Sequence, residues 1–100
     1  MGDKQHVQTG TVTVPNPAVA TTVTLGWKPR YVKVFSEENL TWYEHIDTMT
    51  AGTSFDTANH DTTQISINAA NGITLTANGF TLGTDICDTA ADTVQWAAFR

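Results

Sequence analysis

The chain has 100 residues, a length that fits one domain with a single hydrophobic core. Threonine is the commonest residue and Leu, Lys, Glu and Arg are scarce, which is typical of pleated β surfaces and predicts almost no α-helix. Only 15% of the residues are charged and the net charge is −5. Sparse Lys and Arg argue against a phosphate-binding surface, so we expect no nucleic-acid partner.

The N-terminal residues carry no recognisable targeting signal. No run of about 18 apolar residues occurs, so we expect neither a membrane-spanning segment nor a membrane partner. Residues 1–6 are polar and charged, without the apolar stretch of a signal peptide, and are predicted to form a flexible arm before a β-sandwich domain at residues 7–100. Cys87 is the single cysteine, and we predict a buried, inert thiol because no cation adjoins it in sequence.

Two strands are predicted before residue 26. Val7 to Val14 is predicted to be a strand with three threonines on one face and Val12 and Val14 on the other. Pro15-Asn16-Pro17 must end it because proline donates no hydrogen bond to a ladder. Ala18 to Leu25 resumes the alternation. Its apolar face is predicted to consist of Val19, Val23 and Leu25.

The next two predicted strands are bulkier. Tyr31 to Phe35 carries large side chains on both faces, so we expect it to lie centrally in its sheet or to be covered by a loop. Thr41 to Ile46 also divides its bulk between two faces. One face is predicted to hold Trp42 and Ile46, and the other Tyr43 and His45.

The interval from Asp47 to Thr63 shows no periodicity. It is too long for an ordinary connection, so it is either a functional excursion or contains a short strand near Ser54-Phe55. Gln64 to Asn68 then reads as a short strand, and we predict that Ile65 and Ile67 point inward.

The clearest local signal is a β-hairpin, NGITLTANGFTLG, from Asn71 to Gly83. Asn78-Gly79 has the composition of a type I′ turn. The hairpin's apolar face cannot be stable alone in water, so a second sheet must cover it. After an acidic loop, Thr93 to Phe99 is predicted to be one of the covering strands.

Together these elements predict a single all-β domain, an antiparallel β-sandwich of jelly-roll-like type. The twelve residues that we predict for its core are Val23, Leu25, Val32, Val34, Ile65, Ile67, Ile73, Leu75, Phe80, Leu82, Val94 and Trp96.

Residues able to support chemistry are scattered. One group contains metal and acid–base donors but matches no recognised zinc spacing: Glu44, His45, Asp47, His60 and Asp61. A second group lacks the ligand density of a calcium loop: Asp85, Asp88 and Asp92. No serine stands in a nucleophile-elbow context. We therefore predict no enzymatic activity, no metal and no cofactor.

Aromatic residues near loops have two interpretations. Either Trp27 and Trp42 close the ends of the sandwich core, or exposed rings form a ligand or subunit interface. The residues predicted to contact a partner are Lys4, His6, Trp42, Tyr43, His45 and Phe55.

Four segments, in this order, resemble a family of small virion proteins of tailed bacteriophages and prophages: GWKPRYVKVF (residues 26–35), Trp42, NGITLTANGFTLGTD (residues 71–85) and VQWAAF (residues 94–99). The resemblance implies a non-enzymatic β-sandwich that is located on the virion and assembled in the host cytoplasm. The function it implies first is capsid decoration, with the major capsid or tail protein as partner. The alternative is a tail or adsorption component with a carbohydrate-binding β-sandwich. Residues 88–92 depart from the Asn- and Gly-containing loop of the family, so no contacts are carried over there.

Assembly can also be predicted from the surface composition. A threonine-rich surface with few charges loses little entropy and little hydration on packing, so we expect a symmetric homo-oligomer, a trimer before a dimer. A partner would order the arm at residues 1–6 by adding a strand to Val7 to Val14 or by contacting Lys4 and His6. The alternative is a frayed terminus without a role.

Overall fold

The computed structural model describes residues 6–57 and 70–100 in full and the backbone of residues 65–68. In these ranges there are nine strands: β1 (Val7–Thr13), β2 (Thr21–Thr24), β3 (Tyr31–Ser36), β4 (Thr41–Ile46), β5 (Ser54–Thr57), β6 (Ile65–Asn68), β7 (Ile73–Thr76), β8 (Gly79–Leu82) and β9 (Thr93–Phe99). They form two antiparallel sheets, with the orders β1-β9-β3-β4-β5-β6 and β2-β8-β7. This confirms the predicted all-β sandwich.

Several strand predictions are confirmed in position. The strand β3 lies centrally, between β9 and β4, as its bulk on both faces predicted. The strand β5 is the short strand predicted near Ser54-Phe55, and it pairs with both β4 and β6. The inward placement predicted for Ile65 and Ile67 concerns side chains outside the described residues. One placement is wrong: Val19 precedes β2 and is 47% exposed instead of facing the core.

The core lies between the two sheets and includes residues that strand alternation did not select. Val14, Ile86 and Cys87 are buried although they lie outside strands, and Tyr43 and Ala98 are buried within them. Three predicted members are only partly buried and pack at its margin: Val23, Leu25 and Leu75. The buried apolar set is Val14, Val32, Val34, Tyr43, Ile73, Phe80, Leu82, Ile86, Cys87, Val94, Trp96 and Ala98.

The hairpin of β7 and β8 is confirmed, but its turn differs from the prediction. Thr76 pairs with Gly79, so the two-residue loop is Ala77-Asn78. Positive φ angles occur in the described residues at Gly26, Leu40, Gly52 and Ala91 and at neither turn position, so the type I′ assignment is wrong. Gly79 instead serves packing, since a Cβ there would collide with the carbonyl oxygen of Val23 in β2.

Candidate functional site

The outer face of the six-stranded sheet carries a row of bulky side chains. Phe99 pairs with Val7 on one side and with Tyr31 on the other, and Tyr31 pairs with Ile46. Residues directly opposite on antiparallel strands share a face, so these four side chains lie side by side. The rings of Tyr31 and Phe99 are in contact, with centroids 5.2 Å apart.

A second aromatic pair lies on the same face. Phe35 pairs with Trp42, their centroids are 4.7 Å apart, and their planes are inclined by 45°. Phe55 lies opposite Glu44 on this face. Exposure is high for a sheet surface, since 42% of Trp42 and 37% of Phe55 are accessible. We call this surface the outer aromatic face: Val7, Tyr31, Phe35, Trp42, Ile46, Phe55 and Phe99.

The charged residues of the outer aromatic face contact its aromatic rings. The Lys33 ammonium lies 4.5 Å from the centroid of the Trp42 ring, a cation–π contact. The Tyr31 hydroxyl donates a hydrogen bond of 2.7 Å to Glu44 Oε1. Burial, followed by this hydrogen bond and the negative charge of Glu44, raises the pKa of Tyr31 to about 12. Tyr31 is therefore neutral at physiological pH and remains a hydrogen-bond donor.

The opposite side of the sandwich is chemically different. The outer side chains of the three-stranded sheet are all threonines, because Thr22 and Thr74 both pair with Thr81, and Thr24 and Thr76 both pair with Gly79. The Thr22 and Thr81 hydroxyl oxygens are 3.0 Å apart. The described residues thus present one aromatic and one threonine surface, and of these two the aromatic one offers large apolar groups to a partner.

Two residues predicted to contact a partner lie in the interior. Tyr43 and His45 occupy the inner face of β4 and are 5% and 2% exposed, and His45 Nδ1 lies 2.8 Å from the carbonyl oxygen of Thr53. Burial, with smaller effects from the charges of Asp56 and Asp88, raises the pKa of Tyr43. Their burial is a correction to the predicted set: in this fold neither side chain can reach a partner.

The remaining predicted contact residues are placed differently. Trp42 and Phe55 are exposed, so the interpretation in which Trp42 closes the core is wrong, whereas Trp27 does pack against it. His6 is exposed, and its carbonyl accepts a hydrogen bond of 2.8 Å from the Arg100 amide. Lys4 lies outside the described residues.

Asp88 and Asp92, in the loop between β8 and β9, form hydrogen bonds to residues 36–39. Asp92 is buried and accepts hydrogen bonds from Ser36 Oγ at 2.6 Å and from the Glu38 amide at 3.0 Å. Asp88 accepts a hydrogen bond of 3.0 Å from Asn39 Nδ2. Among the described residues no group of three or more His, Cys, Asp or Glu side chains could hold a metal ion. The candidates His60 and Asp61 lie outside that part of the chain.

Cys87 is buried, as predicted, and it is not disulfide-bonded. Burial raises the pKa of its thiol, and a protonated thiol is a poor nucleophile. No helix within residues 6–57, 65–68 and 70–100 is long and apolar enough to cross a membrane.

Sequence reasoning missed most of the outer aromatic face. It selected Trp42 and Phe55 but not Tyr31, Phe35 or Phe99. The available signal was the bulk on both faces of Tyr31–Ser36, since a two-layer sandwich covers only one face of each sheet. The comparisons with known proteins find no match among family models, curated proteins or solved structures.

Proposed function

We propose that the chain is a non-enzymatic structural protein of a bacteriophage virion, a capsid decoration protein that docks through its outer aromatic face. The observation that carries the proposal is a row of bulky side chains, with Trp42 and Phe55 as its exposed rings, on one side of a sandwich whose other side is threonine. The motif resemblance supplies the class of partner, which is the major capsid or tail protein. The partner surface takes the place of a third layer over the six-stranded sheet.

The exposed rings are stabilised when a partner covers them. Removal of apolar surface from water contributes roughly 25 cal/mol per Å², and aromatic residues at the centre of an interface supply most of its binding energy. Trp42 and Phe55 are the exposed rings of the face, while Lys33 and Glu44 already have partners within it. A partner that covers the rings must therefore keep these two charges hydrated or supply opposite charges to pair with them.

The test measures binding of the purified chain to particles that lack it, assembled from the major capsid protein of the virus that carries the gene. The variant combines Trp42→Ala with Phe55→Ala, and the matched control combines Thr22→Ala with Thr81→Ala on the threonine surface. We expect the aromatic variant to bind roughly thirtyfold more weakly or worse, as for loss of a binding hot spot, and the control to bind normally. Failure of the wild-type chain to bind, or an equal loss in the control, would contradict the proposal.

A carbohydrate-binding role is the second candidate, and a specific feature favours it. A depression of about 170 Å³ on the outer aromatic face is lined in part by Lys33, Trp42 and Gln95, and an indole beside an amide is suited to a sugar ring. The Phe35 plane is inclined by 45° to that of Trp42, so the two rings do not form one flat stacking platform. Specific hits on a glycan array that disappear in Trp42→Ala would favour this role over capsid decoration.

A further inference from the structure

Within residues 6–57, 65–68 and 70–100, strand β1 is an edge of the six-stranded sheet without the usual protection. In the described part of the chain it pairs only with β9, in an unbroken register from Val7 opposite Phe99 to Thr13 opposite Thr93. Natural sheets protect their edges with short strands, charges, prolines or bulges. The seven residues of β1, VQTGTVT, include none of these devices, whereas the edge strands β2, β6 and β7 have four residues each.

Two backbone hydrogen bonds show which groups of β1 face outward. The Arg100 amide donates to the His6 carbonyl at 2.8 Å, and the Val14 amide donates to the Asp92 carbonyl at 2.9 Å. Bonded pairs alternate along an antiparallel ladder, so the even-numbered residues of β1 bond to β9. The residues whose N–H and C=O groups point away from β9 are therefore Val7, Thr9, Thr11 and Thr13.

We propose that β1 pairs antiparallel with β1 of a second copy, across a twofold axis that passes midway between the two copies of Gly10. In this register all seven residues are paired, Val7 lies opposite Thr13 of the second copy, and Thr9 lies opposite Thr11. No charged side chains meet, and β-branched residues stabilise such cross-strand contacts. Gly10 falls at a non-bonded site, where the two backbones approach most closely.

This pairing would join two six-stranded sheets into one continuous sheet. The twofold axis is perpendicular to the sheet, so both outer aromatic faces lie on the same side. The resulting dimer differs from the trimer that composition predicts, and the inference does not depend on the proposed function, because edge pairing uses backbone groups and not the rings.

The first test is light scattering of the full chain over a wide concentration series. The mass should rise from 10.8 kDa toward twice that value. Thr11→Pro should remain monomeric at every concentration, and it should fold because the Thr11 amide makes no bond to β9. The matched control, Thr11→Val, keeps the amide and should dimerise like the wild-type chain. A wild-type monomer at all concentrations, a trimer, or a Thr11→Pro dimer would overturn the proposal.

Amide hydrogen exchange of the wild-type chain provides a second test, which also decides the matter if Thr11→Pro does not fold. The amides of Thr9, Thr11 and Thr13 should become protected only as the concentration rises. Those of Gln8, Gly10 and Val12 should be protected throughout, because they bond to β9. Concentration-independent exchange at the three threonines would overturn the pairing.

Discussion

The six-stranded sheet has Trp96 on its inner face and Trp42 on its outer face. Replacing each tryptophan by alanine tests the assignment of the two faces. Trp96 is 8% exposed and packs edge-on against Phe80 of the opposing sheet, with centroids 5.5 Å apart. Its indole also fills the space beside Gly10, where a Cβ would approach Trp96 Cζ2 to 2.7 Å. Trp42 lies on the outer aromatic face and contacts Phe35 and Lys33.

These contacts predict different losses of unfolding free energy for the two substitutions. Trp96→Ala removes a buried indole and its edge-on contact, which costs about 3–5 kcal/mol of unfolding free energy. The free energy of unfolding of a small domain is only about 5–15 kcal/mol, so this cost is a large share of the total. A loss of this size should lower the melting temperature of Trp96→Ala by roughly 15–30 °C. Trp42→Ala loses partial burial and exposed ring contacts, and we expect a cost of about 1 kcal/mol.

The assay is urea denaturation of both variants, monitored by far-UV circular dichroism because this signal does not depend on tryptophan fluorescence. Equal slopes with respect to urea would show that the variants unfold from similarly compact states. The assignment of Trp96 to the core would be refuted if the free energy of unfolding of Trp96→Ala lay within about 1 kcal/mol of the wild-type value. It would also be refuted if Trp42→Ala were the more damaging of the two, because the outer face would then be a packed one.

Three further predictions concern packing, a buried carboxylate and pH. Gly79→Ala pushes a methyl group into the carbonyl oxygen of Val23, and urea unfolding should show a loss of about 1–3 kcal/mol; an unchanged midpoint would contradict the close contact. Asp92→Ala leaves the buried Ser36 hydroxyl without its acceptor, so we expect a loss of about 2–3 kcal/mol, which Asp92→Asn should partly restore if hydrogen bonding is the cause. Burial, and to a lesser extent the charge of Asp85, raises the pKa of Asp56 above 3.8 in the folded chain. The protonated form of Asp56 therefore stabilises the folded chain, and this contribution is complete below pH 3.8 and is lost as the pH rises through the folded-state pKa. Asp56→Asn should accordingly gain stability relative to the wild-type chain at pH 7 but not at low pH, and a gain independent of pH would show that its charge is not responsible.

The parts of the fold that could be predicted are those set by neighbouring residues. Alternation in the hairpin identified the inner residues Ile73 and Phe80, because a strand places successive side chains on opposite faces. The turn could not be assigned in this way. The close approach of Val23 to Gly79 is a contact between distant parts of the sequence, and local composition favoured a different turn.

The outer aromatic face could likewise be predicted only in part from the sequence. Alternation correctly separated Trp42 from Tyr43 and His45, but it could not say which face of β4 would be covered. That choice depends on where the small sheet packs. Ile86 lies in a loop, where no periodicity marks a buried residue, and was therefore missed.

Hydroxyl-radical footprinting of the chain, free and bound to capsid particles, is the most direct measurement of whether the outer aromatic face contacts the virion. Trp42 is 42% exposed on that face. Trp27 packs against the core, with its ring centroid 5.4 Å from the Arg100 guanidinium carbon, and serves as an internal reference. We expect oxidation of Trp42 to slow strongly on the particle while oxidation of Trp27 is unchanged. Equal oxidation of Trp42 in the free and the particle-bound chain would contradict docking through this face.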